Sequence, residues 1–176
     1  MNSLRTSIAY MVALSASCIL LSCHTGDNRK DTPKDTLLSM IHPLVKLLAS
    51  DKPKVDAALA IVGGRVAKTS KQNLLVEGDR FKAVLVYALG DQITLSEIRV
   101  YPETELGVVF KDITKIFGEG RAIVESKTST VVFDCSKIGI DNRVYVSAHL
   151  LDPPKYPLSH VLSLTIRHEA VDRTPR

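Results

Sequence analysis

Five histidines and three cysteines are the residues of this sequence whose side chains most readily bind metals or act as nucleophiles near neutral pH. A zinc site needs three or four converging ligands, often at His-x-x-x-His or Cys-x-x-Cys spacing. Neither spacing occurs, and the strand phase near the end of the chain predicts His149 and His168 on opposite faces of a sheet. We therefore expect no metal ion and no cofactor. The five histidines, expected to be solvated or in the core, are His24, His42, His149, His160 and His168.

Motifs for phosphate and nucleophilic chemistry are also missing. Residues Gly63–Ser70 look superficially like a phosphate loop, but no glycine precedes their Lys-Thr pair and no predicted strand precedes their glycines. We predict a helix C-cap followed by a basic loop, Arg65–Lys71. No Gly-x-Ser-x-Gly elbow is present. Glu103 and Glu105 are best explained as first-turn helix charges rather than a hydrolytic pair. The sequence therefore predicts no enzyme, and a hydrolase ranks behind two binding functions.

The first 22 residues have the composition of an export signal. Arg5 is followed by an uncharged, largely apolar run of 15 residues, Ser7–Leu21. A helix of that length spans about 22 Å, short of the ~30 Å hydrocarbon core of a bilayer. A cleaved signal is therefore favoured over a membrane span.

The run ends in Leu20-Leu21-Ser22-Cys23, which resembles the lipobox of bacterial lipoproteins. The resemblance implies that residues 1–22 are removed and that the chain is held on a lipid bilayer of the cell envelope through acylated Cys23. His24 stands where many inner-membrane lipoproteins carry Asp, so the resemblance favours the outer membrane, facing the periplasm. The alternative is an ordinary signal peptide cut near Ala16-Ser17.

Removal of residues 1–22 leaves 154 of 176 residues and lowers the formal charge from +4 to +3, because Arg5 is the one charged residue lost. So small a charge, with basic and acidic residues intermixed, excludes a clear nucleic-acid footprint. Removal of residues 1–22 also removes Cys18, so Cys135 has no cysteine to pair with once Cys23 is lipidated. We expect Cys135 to be a buried small hydrophobe sharing a strand face with Val131 and Phe133.

The mature chain is predicted to contain a tether at 23–36, a single domain at 37–168 and a tail at 169–176. The tether has no large apolar side chain after Cys23. Apolar spacing predicts a helix from Leu37, capped by Thr36 or Asp35, with either a kink at Pro43 or a division there into two short helices. A second helix is predicted at 52–62, ended by Gly63-Gly64.

The rest of the domain is predicted to alternate strands with one helix. Alternating apolar residues and turn signals such as Gly78-Asp79 and Gly90-Asp91, where glycine supplies a positive φ, define the strands. The order ααβββαββββ indicates an α+β fold with helices on one face of an antiparallel sheet. The predicted ranges are strands at 72–77, 80–88 and 92–101, a helix at 102–118, and strands at 121–125, 128–134, 143–151 and 160–168.

Two similar segments, Ile61-Val-Gly-Gly-Arg65 and Ile116-Phe-Gly-Glu-Gly-Arg121, each end a predicted helix and lead into strands. This repeated helix-plus-meander pattern resembles the β-lactamase-inhibitor-protein-like fold, which small outer-membrane-assembly lipoproteins also use. The resemblance implies an extracytoplasmic binding module without catalysis. The sequence departs from that pattern in two ways: its first half has no clear fourth strand, and the disulfides common in the fold cannot form.

Strand phase locates a candidate partner-binding surface on the side of the sheet away from the helices. Apolar side chains of the last two strands, Val144, Val146, Ala148, Leu150, Leu162, Leu164 and Ile166, are predicted to be covered. The residues left outward are Tyr145, Ser147, His149, Ser163, Thr165 and Arg167. Tyrosine and arginine are enriched in interface hot spots, whereas the alternative is an ordinary solvated sheet face. If the partner docks elsewhere, the basic loop or the proline-rich loop Pro153–Pro157 is expected.

Two binding functions compete. The first is recognition of another envelope or periplasmic protein, as an inhibitor or immunity protein or as an envelope-assembly factor. The second is carriage of a small molecule or lipid, which predicts a cavity above ~300 Å³ lined by Phe110, Phe117 and Leu85.

Overall fold

The structure is a computed structural model that describes residues 32–89, 91–124, 129–140, 144–152 and 157–168. The predicted leader, Cys23, Pro153–Tyr156 of the proline-rich loop and the tail at 169–176 lie outside the described residues. The described residues belong to one compact unit.

The described residues form three α-helices, α1 (Pro33–Leu48), α2 (Val55–Val62) and α3 (Phe110–Phe117), with short 3-10 turns at Thr104–Leu106 and Cys135–Ile138. Gly63 ends α2 in the left-handed conformation, with φ of 65°. This confirms the predicted helix stop, since glycine adopts that conformation without steric penalty.

In the part of the chain that the structure describes, eight strands form one antiparallel sheet in the order β1-β2-β3-β4-β8-β7-β6-β5. Each half of the chain contributes a four-stranded meander, and the two meanders join where β4 pairs with β8. The strands are β1 (Arg65–Thr69), β2 (Asn73–Gly78), β3 (Phe81–Tyr87), β4 (Leu95–Pro102), β5 (Arg121–Val124), β6 (Ser129–Asp134), β7 (Val144–Leu150) and β8 (Val161–His168).

All three helices pack on one face of this sheet. Helix α1 lies against β4, β7 and β8, α2 against β2 and β3, and α3 against β7. Between the layers is a continuous apolar core, because alternate strand residues point toward the helices. Its largest fully buried side chains include Leu37, Ile41, Leu44, Leu48, Leu85, Ile98, Phe133, Leu164 and Ile166.

The mixed α+β architecture is as predicted, but the predicted order ααβββαββββ is wrong because it lacks β1. Residues predicted as a basic loop, Arg65–Lys71, instead contain the edge strand β1, so that the order is ααββββαββββ. All five residues of β1 are exposed, and its register with β2 shifts between Val66 and Lys68. An exposed, bulged edge strand has no buried face, so it gives no apolar alternation in the sequence.

Helix α1 begins earlier than predicted and is not interrupted. Thr32 is its N-cap: the Thr32 side chain accepts a hydrogen bond from Asp35 N at 3.2 Å, and the Asp35 carboxylate accepts one from Thr32 N at 3.2 Å. This capping box replaces the predicted caps at Thr36 or Asp35 and places the predicted boundary at 37 inside the helix. The helix continues through Pro43, which is exposed beside exposed Ser39, so the Ser39 carbonyl freed by proline lies on the solvent side.

The helix predicted at 102–118 is shorter than expected because Gly107 divides it. Gly107 has φ of 63° after the 3-10 turn, and an extended step then leads to α3 at Phe110. Asp112 caps the new helix by accepting a hydrogen bond from Val109 N at 3.1 Å. A left-handed residue breaks the i to i−4 bonding pattern even where apolar spacing stays helical.

Two local details of the strands also differ from expectation. At the turn between β2 and β3 the positive φ belongs to Arg80 (60°), whereas Gly78 is needed because a Cβ there would lie 2.1 Å from the Phe81 ring. In β8 the register with β7 shifts at Leu162, which is 41% exposed instead of covered. Val161 takes the buried position opposite Leu150.

Candidate binding surface

The sheet surface away from the helices, called the open face below, holds the predicted partner-binding residues in adjacent rows. Strands β7 and β8 pair so that Tyr145 is opposite Arg167, Ser147 opposite Thr165 and His149 opposite Ser163. Side chains opposite each other on an antiparallel pair are neighbours, with Cβ atoms about 4.5–5.5 Å apart. The structure therefore brings all of these residues together on one rigid support. Their role in binding a partner stays a prediction.

Strand β4 extends this surface, which the sequence reasoning missed. Glu97 pairs with Arg167 and Arg99 with Thr165. Tyr101 follows in the same phase and is 39% exposed. The alternation of Glu97, Arg99 and Tyr101 with buried Ile98 and Val100 signals an outward polar face in the sequence, but only the pairing of β4 with β8 shows that the two faces adjoin.

Strand β6 forms the opposite border of the central rows. Thr130 lies opposite His149, and their side chains are in hydrogen-bond contact, with 3.0 Å between Thr130 Oγ1 and His149 Nδ1. Asp134 lies opposite Tyr145. The contact with Thr130 restrains the His149 side chain before a partner binds. The side chain therefore has less conformational entropy to lose on binding.

An ion pair between Glu97 and Arg99 lies near the centre of the open face. The Glu97 carboxylate is the main reason that the pKa of the Arg99 guanidinium is raised, and Tyr101 contributes a further hydrogen bond. The Glu97 side chain is only 14% exposed, whereas that of Arg99 is 47% exposed. The pair thus holds a permanently charged guanidinium in a fixed place at the surface.

Basic residues outnumber acidic ones on the open face. The strand register places six basic and three acidic side chains there, a formal charge of +3. Glu77 is paired with Arg65 at 3.2 Å, and Glu97 is paired with Arg99. The basic residues are Arg65, Lys68, Lys82, Arg99, Arg121 and Arg167, and the acidic ones are Glu77, Glu97 and Asp134.

The other chemistry-bearing residues do not converge. Burial raises the pKa of the Cys135 thiol to about 11, so it stays protonated near neutral pH, and its side chain is fully buried. His168 lies opposite buried Val144, on the covered side, whereas His149 is on the open face, as predicted. Within the ranges that the structure describes, no group of three or more His, Cys, Asp or Glu residues is arranged to hold a metal ion.

The residues predicted to line a ligand cavity pack into the apolar core. Phe110 and Phe117 both pack on the ring of Phe133, with ring centroids 6.2 and 5.7 Å apart, and Leu85 is fully buried. Clefts formed by the described residues lie elsewhere. One of about 320 Å³ is bordered by the loop after α1 and by His168, and one of about 290 Å³ is lined in part by Leu151 and Leu162.

Comparison with known proteins leaves the family open. No family model matches this sequence, and no curated protein matches it significantly. A solved structure similar to this chain is the crystal structure of a DUF4309 family protein (YjgB) from Bacillus subtilis. It is 13% identical, the match covers 74% of this chain and 97% of that one, and the TM-score is 0.46. Among the described residues, no helix has the length and apolar character needed to cross a membrane.

Proposed function

We propose that this protein is a lipid-anchored periplasmic lipoprotein that binds another envelope protein through the open face and carries out no catalysis. The observation that supports binding most directly is the composition and fixed placement of the open face. Three neighbouring strands present Tyr101, Tyr145, His149, Arg99 and Arg167 together, with small Ser and Thr side chains between them. Aromatic residues and arginine dominate interface energetics, and a rigid sheet presents them at little conformational cost.

The filled core supports a protein-binding role over the carrier alternative. A carrier needs an enclosed apolar space, and ligand sites usually exceed ~300 Å³. At the position predicted for that space, the ring of Phe133 packs against Phe110 and Phe117. A partner that docks on the open face requires no such space.

Membrane attachment through Cys23 is the second component of the proposal, and it is supported by the sequence Leu20-Leu21-Ser22-Cys23. Mass spectrometry of the protein purified from cells tests it. We expect an N-terminus at Cys23 with acyl chains attached, and Cys23→Ser should release the protein from the membrane fraction without changing its fold. An unlipidated N-terminus at another residue contradicts this component.

Site-specific photo-crosslinking in cells tests the open face. A photoreactive phenylalanine analogue replaces Ser147 at the centre of the open face or, as the matched control, Ser39, which is exposed on α1 in the helical layer. We expect a discrete crosslinked protein, identified by mass spectrometry, from position 147 and not from position 39. Equal or absent crosslinking at both positions argues against a partner on the open face.

A further inference from the structure

Arg167 lies at the centre of the open face, and its guanidinium can donate hydrogen bonds to a partner. Its side chain is exposed on β8, with Glu97 opposite it on one side and Tyr145 on the other. The Glu97 carboxylate is engaged by Arg99. For the part of the chain that the structure describes, no salt bridge or hydrogen bond is found for the Arg167 guanidinium. One carboxylate therefore faces two guanidiniums, which leaves a local excess of one positive charge.

The excess continues beyond this cluster. Arg65 and Arg99 are paired to glutamates. Among the described residues, no salt bridge is found for the other four cations of the open face, Lys68, Lys82, Arg121 and Arg167. Arg167 lies in the central rows on β8, and the other three cations lie on β1, β3 and β5, to either side of these rows. A partner surface of negative charge is therefore attracted to the centre of the face and to both of its flanks.

We propose that the open face recognises an acidic segment of a partner protein, with carboxylates of that segment bound by Arg167 and Arg99. This inference rests on the proposed function and adds the chemistry of the partner. A guanidinium presents a planar fork of N–H donors that matches a carboxylate with two parallel hydrogen bonds. Because Glu97 already holds Arg99, this side chain loses little freedom when it binds. Tyr145 lies opposite Arg167, and Tyr101 follows Arg99 in the same phase of β4, so both tyrosines are placed to supply contact area.

Other anionic macromolecules fit the open face less well. A lipid surface is bound by aliphatic side chains that enter the bilayer together with basic residues. The centre of the open face instead carries Ser147, Ser163 and Thr165. Nucleic acid is bound by a dense stripe of basic residues. Here two of the six cations are neutralised by glutamates, and the rest are spread over the sheet.

A titration followed by NMR tests the proposal with defined probes. The full chain, extracted from cell membranes in a mild detergent, is titrated with capped hexaglutamate, hexaglutamine, a short single-stranded DNA or phosphatidylglycerol vesicles. We expect hexaglutamate to shift the backbone amide signals of β4, β7 and β8, and to do so less as salt is raised. Hexaglutamine should not shift these signals.

Two charge reversals make the titration specific. Arg167→Glu should weaken hexaglutamate binding by about tenfold or more, since a hydrogen-bonded ion pair is lost and a like charge is added. Lys46→Glu makes the same charge change at an exposed position of α1, in the helical layer, and should have little effect. An unchanged spectrum outside the site shows that each variant is folded, and Arg167→Gln gives a milder test if the reversal unfolds the protein.

The proposal is overturned if hexaglutamate does not perturb the open face, if Arg167→Glu and Lys46→Glu weaken it equally, or if only vesicles or DNA bind there. Failure of this titration leaves the crosslinking result at Ser147 untouched. A discrete crosslink without hexaglutamate binding retains the proposed function and rejects the acidic partner.

Discussion

The two faces of the sheet are made by alternate residues of the same strands, yet they differ in what they do. In β8, Leu164 and Ile166 are fully buried against the helices, whereas neighbouring Thr165 and Arg167 face outward. The covered face is apolar and continuous with the core. The open face mixes charged and polar residues with apolar ones such as Val84 and Val132, is net positive, and has an ion pair near its centre. Along one strand, the covered residues therefore contribute to stability and the outward residues to the proposed binding. Substitutions one residue apart should affect either the free energy of unfolding or the affinity for a partner.

The largest effect is expected from Phe133→Ala on the covered face. Phe133 is fully buried and contacts two other phenylalanine rings. Removing its ring leaves a cavity between α3 and the sheet, which should lower the free energy of unfolding by about 3–5 kcal/mol. Urea denaturation measures this change. The neighbouring Val132→Ala on the open face should cost less than about 1 kcal/mol, and equal losses at both positions contradict the distinction between the faces.

The second-largest loss of stability is expected from substitution of Asp112, which links α3 to α1 in the helical layer. Its carboxylate accepts a hydrogen bond from Val109 N and lies 2.7 Å from Lys34 Nζ, while its side chain is only 11% exposed. Asp112→Ala should cost about 1–2 kcal/mol, because both a helix cap and a partly buried ion pair are lost. Thermal and urea unfolding measure the loss. Lys115→Ala is the control, since Lys115 is 67% exposed and 3.8 Å from Asp112 and should contribute almost nothing.

For binding of a partner, substitutions on the open face should have the larger effect. Tyr145→Ala and Arg167→Ala should each weaken the complex with the partner by more than about 1 kcal/mol and change stability by less than about 0.5 kcal/mol. Binding is measured by calorimetry with the protein identified by crosslinking. Ile166→Ala, adjacent to Arg167 but fully buried, should instead lower stability by about 2–5 kcal/mol. If the Tyr145→Ala, Arg167→Ala double variant binds with wild-type affinity, the partner docks on another surface.

The sequence predicts an element well where a strand has one buried face. Strands β7 and β8 alternate apolar and polar residues because helices cover one side, so their outward residues could be identified in advance. Strand β1 could not be identified, since it is exposed on both faces. The register shift at Leu162 could not be predicted either. A bulge changes which face the following side chains occupy, but it leaves the composition of the strand unchanged.

The candidate site was predicted only in part for a topological reason. Hairpin pairing of β7 with β8 follows from chain order, but β4 and β8 are distant in sequence, and short-range patterns contain no information about such pairing. The structure places β4 beside β8, and only this pairing shows that Glu97, Arg99 and Tyr101 belong to the candidate site.

The smallest effect is expected at the border of the open face, where Arg65 of β1 pairs with Glu77 of β2. The two groups are 3.2 Å apart, but their side chains are 83% and 40% exposed. Water and salt screen such a pair, so Arg65→Ala should change the free energy of unfolding by less than about 0.5 kcal/mol. Its effect on hexaglutamate binding should also be smaller than that of Arg167→Ala, because Arg65 lies four strands away from β8 and already faces a carboxylate. Urea unfolding and the NMR titration measure the two quantities on one sample. If Arg65→Ala weakens binding as much as Arg167→Ala does, recognition depends on the total charge of the face rather than on the central cluster around Glu97.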